Sequence, residues 1–412
     1  MSESPDISSE PPQASDTALA FTATRGGFAK ILLINTALTV LTLGIYRFWG
    51  RTRLRRYLWR HTRLLGDPLE YTGTGGELFL GFLIVIAVLF PLGAIYGAID
   101  TLIGSHQTGL RITAEVTYYA VLFALIQIGF YRMWRYRMSR TVWRGIRFGL
   151  DGSTWTYLKL AVGWTFLTVI TFGIAYPWMS MDLWRYQMTH TRIGSETFRF
   201  SGTGRQLIKP WLFVNVPLAV YVALLILAGY VANEASSGGT GGLAREIEWF
   251  VRQNVTLSIV MGVVPVVSIL ALPFTYFYYM IRQSRLMISG LEVGQASFAS
   301  ELPFGRLLGF AALGGLLTVV LALPIVASIG FGISESTAPA AMPIIGFIAF
   351  FIFAAVLFPF IWAVVFSFEF LKQVITTMTI TNAEVIETFA QGAEADIKTG
   401  EGLADALDIG GF

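Results

Sequence analysis

A histidine side chain can titrate near neutral pH or bind a metal ion, and two histidines of this chain have similar surroundings in the sequence. His61 and His190 are two of the three histidines in the chain, and a tyrosine, Tyr57 or Tyr186, precedes each by four residues. Neither histidine lies in an HExxH motif, and no acidic cluster accompanies them at ligand spacing. The sequence therefore favours packing of each histidine beside its tyrosine. We expect no metal, no cofactor and no catalytic residue.

Arginines recur at matched distances from the two histidines. Arg56 and Arg63 flank one histidine, and Arg185 and Arg192 flank the other. Guanidinium groups at a membrane surface bind anionic lipid headgroups, and they also hold loops on the cytoplasmic side. The predicted site for lipid headgroups or a membrane protein partner combines both clusters: Arg56, Tyr57, His61, Arg63, Arg185, Tyr186, His190 and Arg192.

Glu369 and Lys372 are the most notable charges close to a long apolar run. Ionisable groups at that depth are functional candidates, but residues three apart on a helix also suit an ion pair with each other. The GTG triplets at 73–75 and 202–204 lack the GxxxxGK[ST] spacing of a phosphate-binding P-loop, so we interpret them as tight turns. The chain contains no cysteine, which excludes disulfides and thiolate catalysis.

Composition places these residues in a membrane protein. Of 412 residues, 54% are hydrophobic and 13% are charged, whereas about a quarter of residues are charged in soluble proteins. Because the arginines cluster at the ends of apolar runs, nucleic acid is a poor partner. The runs that could approach the ~30 Å thickness of the hydrocarbon layer are 28–49, 78–102, 115–134, 157–178, 209–232, 255–281, 305–333 and 342–371. This pattern predicts an all-α polytopic membrane protein, a helical bundle of about six to eight transmembrane segments.

The connecting loops differ in charge. Four of them carry an excess of Arg and Lys: 50–77, 132–159, 179–209 and, more weakly, 282–306. Three carry few basic residues or more acids than bases: 103–114, 233–254 and 334–342. The positive-inside rule therefore predicts the first group in the cytoplasm and the second group outside. A conflict follows, because a single apolar run, 157–178, separates two of the predicted cytoplasmic loops.

An internal repeat bears on this conflict. A shift of 129 residues aligns 28–78 with 157–207 without a gap, and 19 of the 51 positions are identical. Similarity at a fixed offset indicates duplication. If 28–49 and 157–178 both span the membrane, the two copies are inverted. If both segments enter and return, the copies are parallel. The charge pattern favours parallel copies, with six spanning helices and two re-entrant or interfacial hairpins that break at the TLG and TFG triplets.

The repeat also predicts the division of the chain. Alternating residues at 69–75 and 198–204 predict short cytoplasmic strands after each Arg-rich loop, and 377–389 has a similar pattern. The predicted segments are a disordered tail at 1–20, membrane repeat 1 at 21–147, membrane repeat 2 at 148–304, a partial third repeat at 305–389 and an acidic flexible tail at 390–412.

The stretch TLGIYRFWGRTRLRRY followed by HTRLLGDPLEYTGTGGEL resembles the YjgN family of bacterial inner-membrane proteins, a domain of unknown function. The second copy departs from the first, with Asp182 in place of Arg53. The resemblance covers most of 20–390 and implies a multi-pass protein of the bacterial inner membrane. It assigns no catalytic residue.

Three functional hypotheses follow from the sequence. The first is a non-enzymatic membrane protein whose basic and aromatic cytoplasmic face binds lipid headgroups or a protein partner. The second is a transporter or channel for a small molecule or lipid, which a cavity lined by Arg and Tyr would favour. The third is a membrane-embedded enzyme, which would need polar groups that converge on one point, for instance His61, His190 and an acid within ligand distance.

Overall fold

The computed structural model describes residues 18–103, 107–236, 249, 255–334 and 341–389. Within these residues, ten short strands lie together at one end of a bundle of helices. This end is called the sheet end below. The structure thus separates apolar helices from a small polar and aromatic cap.

Among the described residues, six helices are long and apolar enough to cross a membrane. At 1.5 Å per residue, a helix of 28 residues is about 42 Å long, which exceeds the ~30 Å hydrocarbon layer. The prediction of a helical polytopic membrane protein is confirmed, at the lower end of the expected number of spans. The six are α3 (Gly75–Leu102), α4 (Thr108–Ser139), α7 (Ile208–Ser236), α8 (Val255–Ser289), α9 (Phe304–Ser334) and a C-terminal helix over 341–376.

The C-terminal helix is not regular along its length. Two π-helical segments, Phe353–Leu357 and Ala363–Ser367, separate three α-helical parts. Such segments widen the helix locally and occur often at functional sites. The α-helical parts are α10 (Ala341–Ile352), α11 (Phe358–Trp362) and α12 (Phe368–Thr376).

Four shorter helices form two hairpins that start and end at the sheet end. At 17 residues, α1 and α5 are each only about 25 Å long, and each is followed by a turn and a helix of 14 residues. The runs 28–49 and 157–178 are therefore each a helix, a tight turn and the start of a returning helix. The four are α1 (Arg25–Leu41), α2 (Arg47–Arg60), α5 (Thr154–Ile170) and α6 (Tyr176–Thr189).

The helix breaks lie at the predicted TLG and TFG triplets. In both turns a bulky residue and the following glycine have positive φ: 50° and 93° at Leu43 and Gly44, and 49° and 87° at Phe172 and Gly173. Glycine adopts this conformation without the clash that a Cβ introduces. The hydroxyl of the first triplet's threonine, Thr42, accepts a hydrogen bond from the N–H of Tyr46 at 2.9 Å. Tyr46 directly precedes the returning helix.

All ten strands form one antiparallel sheet in chain order, β1 to β10. Eight of the strands form four β-hairpins with two-residue turns. Each β-hairpin follows one helix and leads into the next. The strands are β1 (Leu19–Phe21), β2 (Thr62–Leu64), β3 (Asp67–Tyr71), β4 (Thr141–Trp143), β5 (Ile146–Leu150), β6 (Thr191–Ile193), β7 (Glu196–Phe200), β8 (Leu291–Val293), β9 (Ala296–Ser300) and β10 (Met378–Thr381).

The sheet curves until its two edges meet. The edge strands β1 and β10 approach to within 8 Å between Cα atoms. Phe21 and Phe28 pack on Phe368 of the C-terminal helix at ring-centroid distances of 5.9 and 5.1 Å. A nearly closed sheet leaves little unpaired strand edge. The N-terminal and C-terminal parts of the chain therefore complete a barrel-like cap together.

Each β-hairpin contributes one residue to the interior of this cap, namely the last residue of its first strand. Leu64, Trp143, Ile193 and Val293 are all buried in one cluster. The indole N–H of Trp143 donates to the carbonyl of Leu64 at 3.0 Å, so its polar atom is satisfied inside the cap. Equivalent positions in successive hairpins thus converge on one core.

A short segment after β10 closes the bottom of the cap. Ala383–Thr388 forms a 3₁₀ turn that places Ile386 in the same core, together with Phe389. Arg144 in the second hairpin anchors this segment through Glu387 at 2.9 Å and also pairs with Asp67. Hydrogen bonds to these two carboxylates raise the pKa of Arg144 above its ordinary value.

Each β-hairpin lies between two helices. The chain therefore contains four units of a helix, a β-hairpin and a helix: α2 to α3, α4 to α5, α6 to α7 and α8 to α9. This division is finer than the predicted boundaries at 21–147, 148–304 and 305–389, which stay a prediction. The predicted tail at 1–20 needs a correction, because Leu19 and Ala20 belong to β1 and pair with Leu64 and Arg63. These apolar residues satisfy the backbone groups of β2, which would otherwise be a free edge. The predicted tail at 390–412 lies outside the described residues.

Candidate functional site

The duplicated arginines Arg56 and Arg185 contact the protein backbone. Arg56 donates to the carbonyl of Gly73 at 2.8 Å, and Arg185 donates to the carbonyl of Gly202 at 2.7 Å. In both cases the acceptor lies 17 residues further along the chain, directly before the residue that caps the next helix. Each arginine therefore ties the end of one helix to the start of the next, across the hairpin between them.

The same contact occurs in the two units that the sequence repeat did not reveal. Arg135 donates to the carbonyl of Gly152, and Arg285 donates through Nε to the carbonyl of Leu302 at 2.9 Å, again 17 residues on. These two arginines were missed because their helices share little sequence with α2 and α6. The signal that could have revealed them is an arginine six residues before the first strand residue of every hairpin. The four arginines are called the hairpin clamps.

Tyr57 and Tyr186 also occupy equivalent places. The hydroxyl of Tyr57 accepts from the N–H of Thr24 at 3.2 Å, and the hydroxyl of Tyr186 donates to the carbonyl of Ser153 at 2.8 Å. Thr24 and Ser153 are the N-caps of α1 and α5. Each tyrosine therefore joins the second helix of a short hairpin to the start of the first helix.

The two histidines pack on these tyrosines, as the sequence favoured. His61 and Tyr57 have ring centroids 4.3 Å apart, and so do His190 and Tyr186. The Nδ1 atom of each histidine lies 2.7 Å from the carbonyl oxygen of its tyrosine. Because a carbonyl only accepts, Nδ1 carries the hydrogen. Both histidines thus cap the C-terminal end of a helix.

Arg63 and Arg192 differ although the duplication retained both. The Nε of Arg192 lies 2.8 Å from a carboxylate oxygen of Asp151, and its Nη1 donates to the carbonyl of Gly194 at 3.2 Å. Arg63 is exposed on β2. The eight predicted site residues therefore lie at one end of the molecule but in separate places. Lipid or partner binding by them stays a prediction.

Glu369 makes a different ion pair from the one expected. Its side chain is only 8% exposed and pairs with Arg25 at 2.9 Å rather than with Lys372. It also accepts a hydrogen bond from Gln373 at 2.9 Å. The sequence pattern favoured Lys372 because of its spacing on the helix, but the closed sheet brings α1 against the C-terminal helix. Glu369 therefore joins the first and last helices.

A basic groove of about 440 Å³ lies between α7 and α8 at the sheet end. Lys209 and Arg282 are exposed along it, and the Nε of Arg282 donates to the hydroxyl of Tyr278 at 3.1 Å. Arg285, one of the hairpin clamps, lies deeper in the same groove. The described lining includes three cationic side chains and no carboxylate.

A larger cavity of about 590 Å³ lies between the α1–α2 hairpin and the C-terminal helix. Arg47, Arg51 and Arg55 line it at intervals of four residues, which places them on one face of α2. The opposite wall is apolar and includes Phe358 and Trp362 from the irregular part of the C-terminal helix. This space between distant parts of the chain is called the arginine cavity below.

The described residues contain no group of three or more His, Cys, Asp or Glu side chains that could hold a metal ion. The enzyme hypothesis required such a convergence on His61 and His190. The absence of catalytic activity stays a prediction.

The comparisons with known proteins agree with the membrane fold. Residues 16–406 match the family described as "Bacterial protein of unknown function (DUF898)". The chain is similar to inner membrane protein YjgN of Salmonella typhimurium, with 32% identity over 143 residues, which is 34% of this chain and 33% of that protein. It is also similar to inner membrane protein YjgN of Escherichia coli K12, with 30% identity over 91 residues, 22% of this chain and 23% of that protein.

These alignments span at most about a third of the length of the relatives. No solved structure matches the chain. The family match covers nearly the whole chain, and the names of the relatives agree with six helices of membrane-spanning length. The chain therefore belongs to the DUF898 family and is a multi-pass protein of the bacterial inner membrane.

Proposed function

We propose that this protein is non-enzymatic and binds anionic lipid headgroups at its sheet end, which faces the cytoplasm. The orientation rests on charge: the four loops rich in Arg and Lys are the four that carry the hairpins. Cytoplasmic loops of inner-membrane proteins carry this excess. Parallel tandem repeats are the simplest account, because both short hairpins leave the same sheet and return to it.

The basic groove between α7 and α8 is the observation that carries the proposal. Lys209 and Arg282 lie where two helices of membrane length end. We expect the ends of such helices at the depth of lipid phosphates. Tyr278 adds an aromatic ring with a polar tip, a residue type that suits the membrane interface. A phosphate in this groove would meet two exposed cations and a hydroxyl group.

A comparison between units supports a ligand of negative charge. At the matching place between α3 and α4, Glu77 accepts a hydrogen bond from Tyr136 at 2.7 Å and pairs with Arg140 at 2.6 Å. In the groove the corresponding capping residue is Gln206, which carries no charge. The first interface thus contains its own carboxylate, whereas the second has cations and an open space.

Native mass spectrometry of detergent-purified protein, titrated with phosphatidylglycerol or phosphatidylcholine, tests the proposal. The double variant K209Q/R282Q removes both exposed cations. We expect its affinity for phosphatidylglycerol to fall roughly thirtyfold, because each of the two cations near a headgroup contributes about 1 kcal/mol. Binding of zwitterionic phosphatidylcholine should change less than about twofold.

The control variant R63Q/R199Q removes two exposed arginines from β2 and β7, away from the groove. It has the same net charge as K209Q/R282Q. An equal loss of phosphatidylglycerol binding in both variants would show general attraction rather than a groove site, and no loss in either would overturn the proposal. A protein subunit retained by the wild type and lost from K209Q/R282Q would indicate a protein partner at the groove instead.

A further inference from the structure

The arginine cavity is a second place where cationic side chains line an open space. Arg47 is exposed at its opening, Arg51 is half-buried, and Arg55 is 2% exposed. Eight residues of helix separate the first from the last, which is about 12 Å along the axis. Ionisable groups at membrane depth are costly, and they are retained mainly where they serve a function.

These arginines already have contacts inside the protein. The hydroxyl of Tyr71, for example, lies 3.3 Å from Arg55 Nη1. Such contacts hold the guanidinium groups in place, and each group has five N–H bonds in a planar fork. That geometry suits the oxygens of a phosphate group.

Asn35 on α1 provides the second observation. It is only 6% exposed, lines the cavity and donates through Nδ2 to the carbonyl of Gly50 at 2.8 Å. This bond fixes the amide orientation, so Oδ1 is the remaining polar atom. Among the described residues, Oδ1 is buried without a hydrogen-bond partner. A buried acceptor without a donor is costly, and a ligand hydroxyl would supply that donor.

The wall opposite the arginines indicates an amphiphile rather than a small ion. Val356 lies within the first π-helical segment of the C-terminal helix. Phe358 and Trp362 lie between the two segments, and Phe358 is 40% exposed. Apolar side chains here would be in contact with lipid tails or with the tail of a ligand. The cavity therefore combines cations, a buried acceptor and an apolar surface.

We propose that the arginine cavity binds a lipid with a phosphoglycerol headgroup. The phosphate lies on the arginines of α2, a headgroup hydroxyl donates to Asn35 Oδ1, and an acyl chain lies along the C-terminal helix. This site is distinct from the basic groove.

The test uses the K209Q/R282Q variant as the background, so that the groove does not mask the cavity. In native mass spectrometry, adding R47Q/R51Q should lower the remaining phosphatidylglycerol affinity at least tenfold. Adding R53Q/R60Q, two exposed arginines of the same helix, is the matched control and should change it less than twofold. Equal losses with both pairs would overturn the proposal.

Two further variants test the cavity without changing its charge. Asn35→Leu removes the acceptor and should reduce the preference for phosphatidylglycerol over phosphatidic acid, which lacks the glycerol hydroxyls. Ala363→Trp fills the space beside the arginines and should displace the lipid. Thermal unfolding of each variant in detergent separates loss of binding from loss of folding. Lipid retention by folded Ala363→Trp at wild-type affinity would contradict the proposal.

Soluble competitors identify the part of the lipid that is bound. Glycerol phosphate and inorganic phosphate should compete only at concentrations at least a hundredfold higher than that of phosphatidylglycerol, because they lack the apolar tail. Competition at equal concentration would overturn a lipid as the occupant.

Discussion

A hairpin clamp joins two helices through one arginine side chain and one backbone carbonyl. In the first unit, Arg56 reaches the carbonyl of Gly73 just before Thr74 caps α3. A charged donor strengthens this hydrogen bond, and the contact fixes the angle between the incoming and outgoing helices. The recurrence of the contact in four units indicates a structural role for arginines that could otherwise be assigned to lipid.

Arg56→Gln is expected to lower the free energy of unfolding by about 1 to 2 kcal/mol, because the carbonyl loses a charged hydrogen-bond donor. Thermal or denaturant unfolding in a mild detergent measures this change. Arg53→Gln, three residues earlier on the exposed side of the same helix, is the control and should change stability by less than about 0.5 kcal/mol. If both substitutions have the same effect, the clamp contributes only through net charge.

We expect Trp143 to contribute more stability than any polar contact of the cap. It is fully buried among residues from four hairpins. We expect Trp143→Ala to cost about 3 to 5 kcal/mol, because a large cavity forms in a small core. The exposed Trp155, 68% accessible on α5, provides the control Trp155→Ala, for which we expect less than 1 kcal/mol. Comparable losses for the two tryptophans would contradict the central role of the cap core.

At the scale of elements, two features separate the short hairpins from the spanning helices. The first is length, since α1 and α5 at about 25 Å fall short of the hydrocarbon thickness. The second is the turn, where a threonine side chain and a glycine with positive φ reverse the chain. The same geometry recurs in both copies, so the turn is encoded locally.

Gly44→Ala tests the turn. A Cβ at Gly44 meets no neighbouring atom, so its cost comes only from the positive φ of 93° and should be about 1 kcal/mol. Gly163→Ala in the interior of α5 also meets no neighbour and should stabilise the protein by up to about 1 kcal/mol, since alanine favours helix. The two substitutions should shift the unfolding temperature in opposite directions. A shift in the same direction would show that the turn is not the constraint.

At the scale of the whole molecule, the sheet sets the topology. The helices run in turn away from the cap and back to it, so three long helical hairpins and two short ones are arranged around the same sheet. Glu369 and Arg25 then close the ring between residues 344 positions apart. In this arrangement both Arg-rich loops of the sequence repeat lie at one end.

Cysteine accessibility provides a test of this topology, and the absence of native cysteine makes the labelling specific. Glu70→Cys and Ser195→Cys lie in β-hairpins of different repeats. Gln107→Cys lies at the end of the molecule opposite the sheet end. A membrane-impermeant thiol reagent should label only Gln107→Cys in intact cells with a permeable outer membrane. The other two should react after the inner membrane is permeabilised. Labelling of Glu70→Cys and Ser195→Cys from opposite sides would support inverted copies.

Several parts of this protein follow from the sequence alone. Apolar length predicts the spanning helices, Thr-Leu-Gly and Thr-Phe-Gly predict the helix breaks, and His61 was expected to pack on Tyr57. These properties depend on residues within a few positions of one another. Hydropathy, turn conformation and helix spacing are local, and a linear pattern therefore contains them.

Only the tertiary structure revealed the clamps at Arg135 and Arg285, the pairing of Glu369 with Arg25, and the arginine cavity. Each depends on strand pairing and ring closure, which bring α1 and the C-terminal helix together across more than 300 residues. Helices of different sequence share the hairpin clamp because the geometry of the β-hairpin positions the arginine and its acceptor. The other residues of these helices differ from unit to unit. Contacts of this kind are set by the closed sheet, and no local pattern in the chain specifies them.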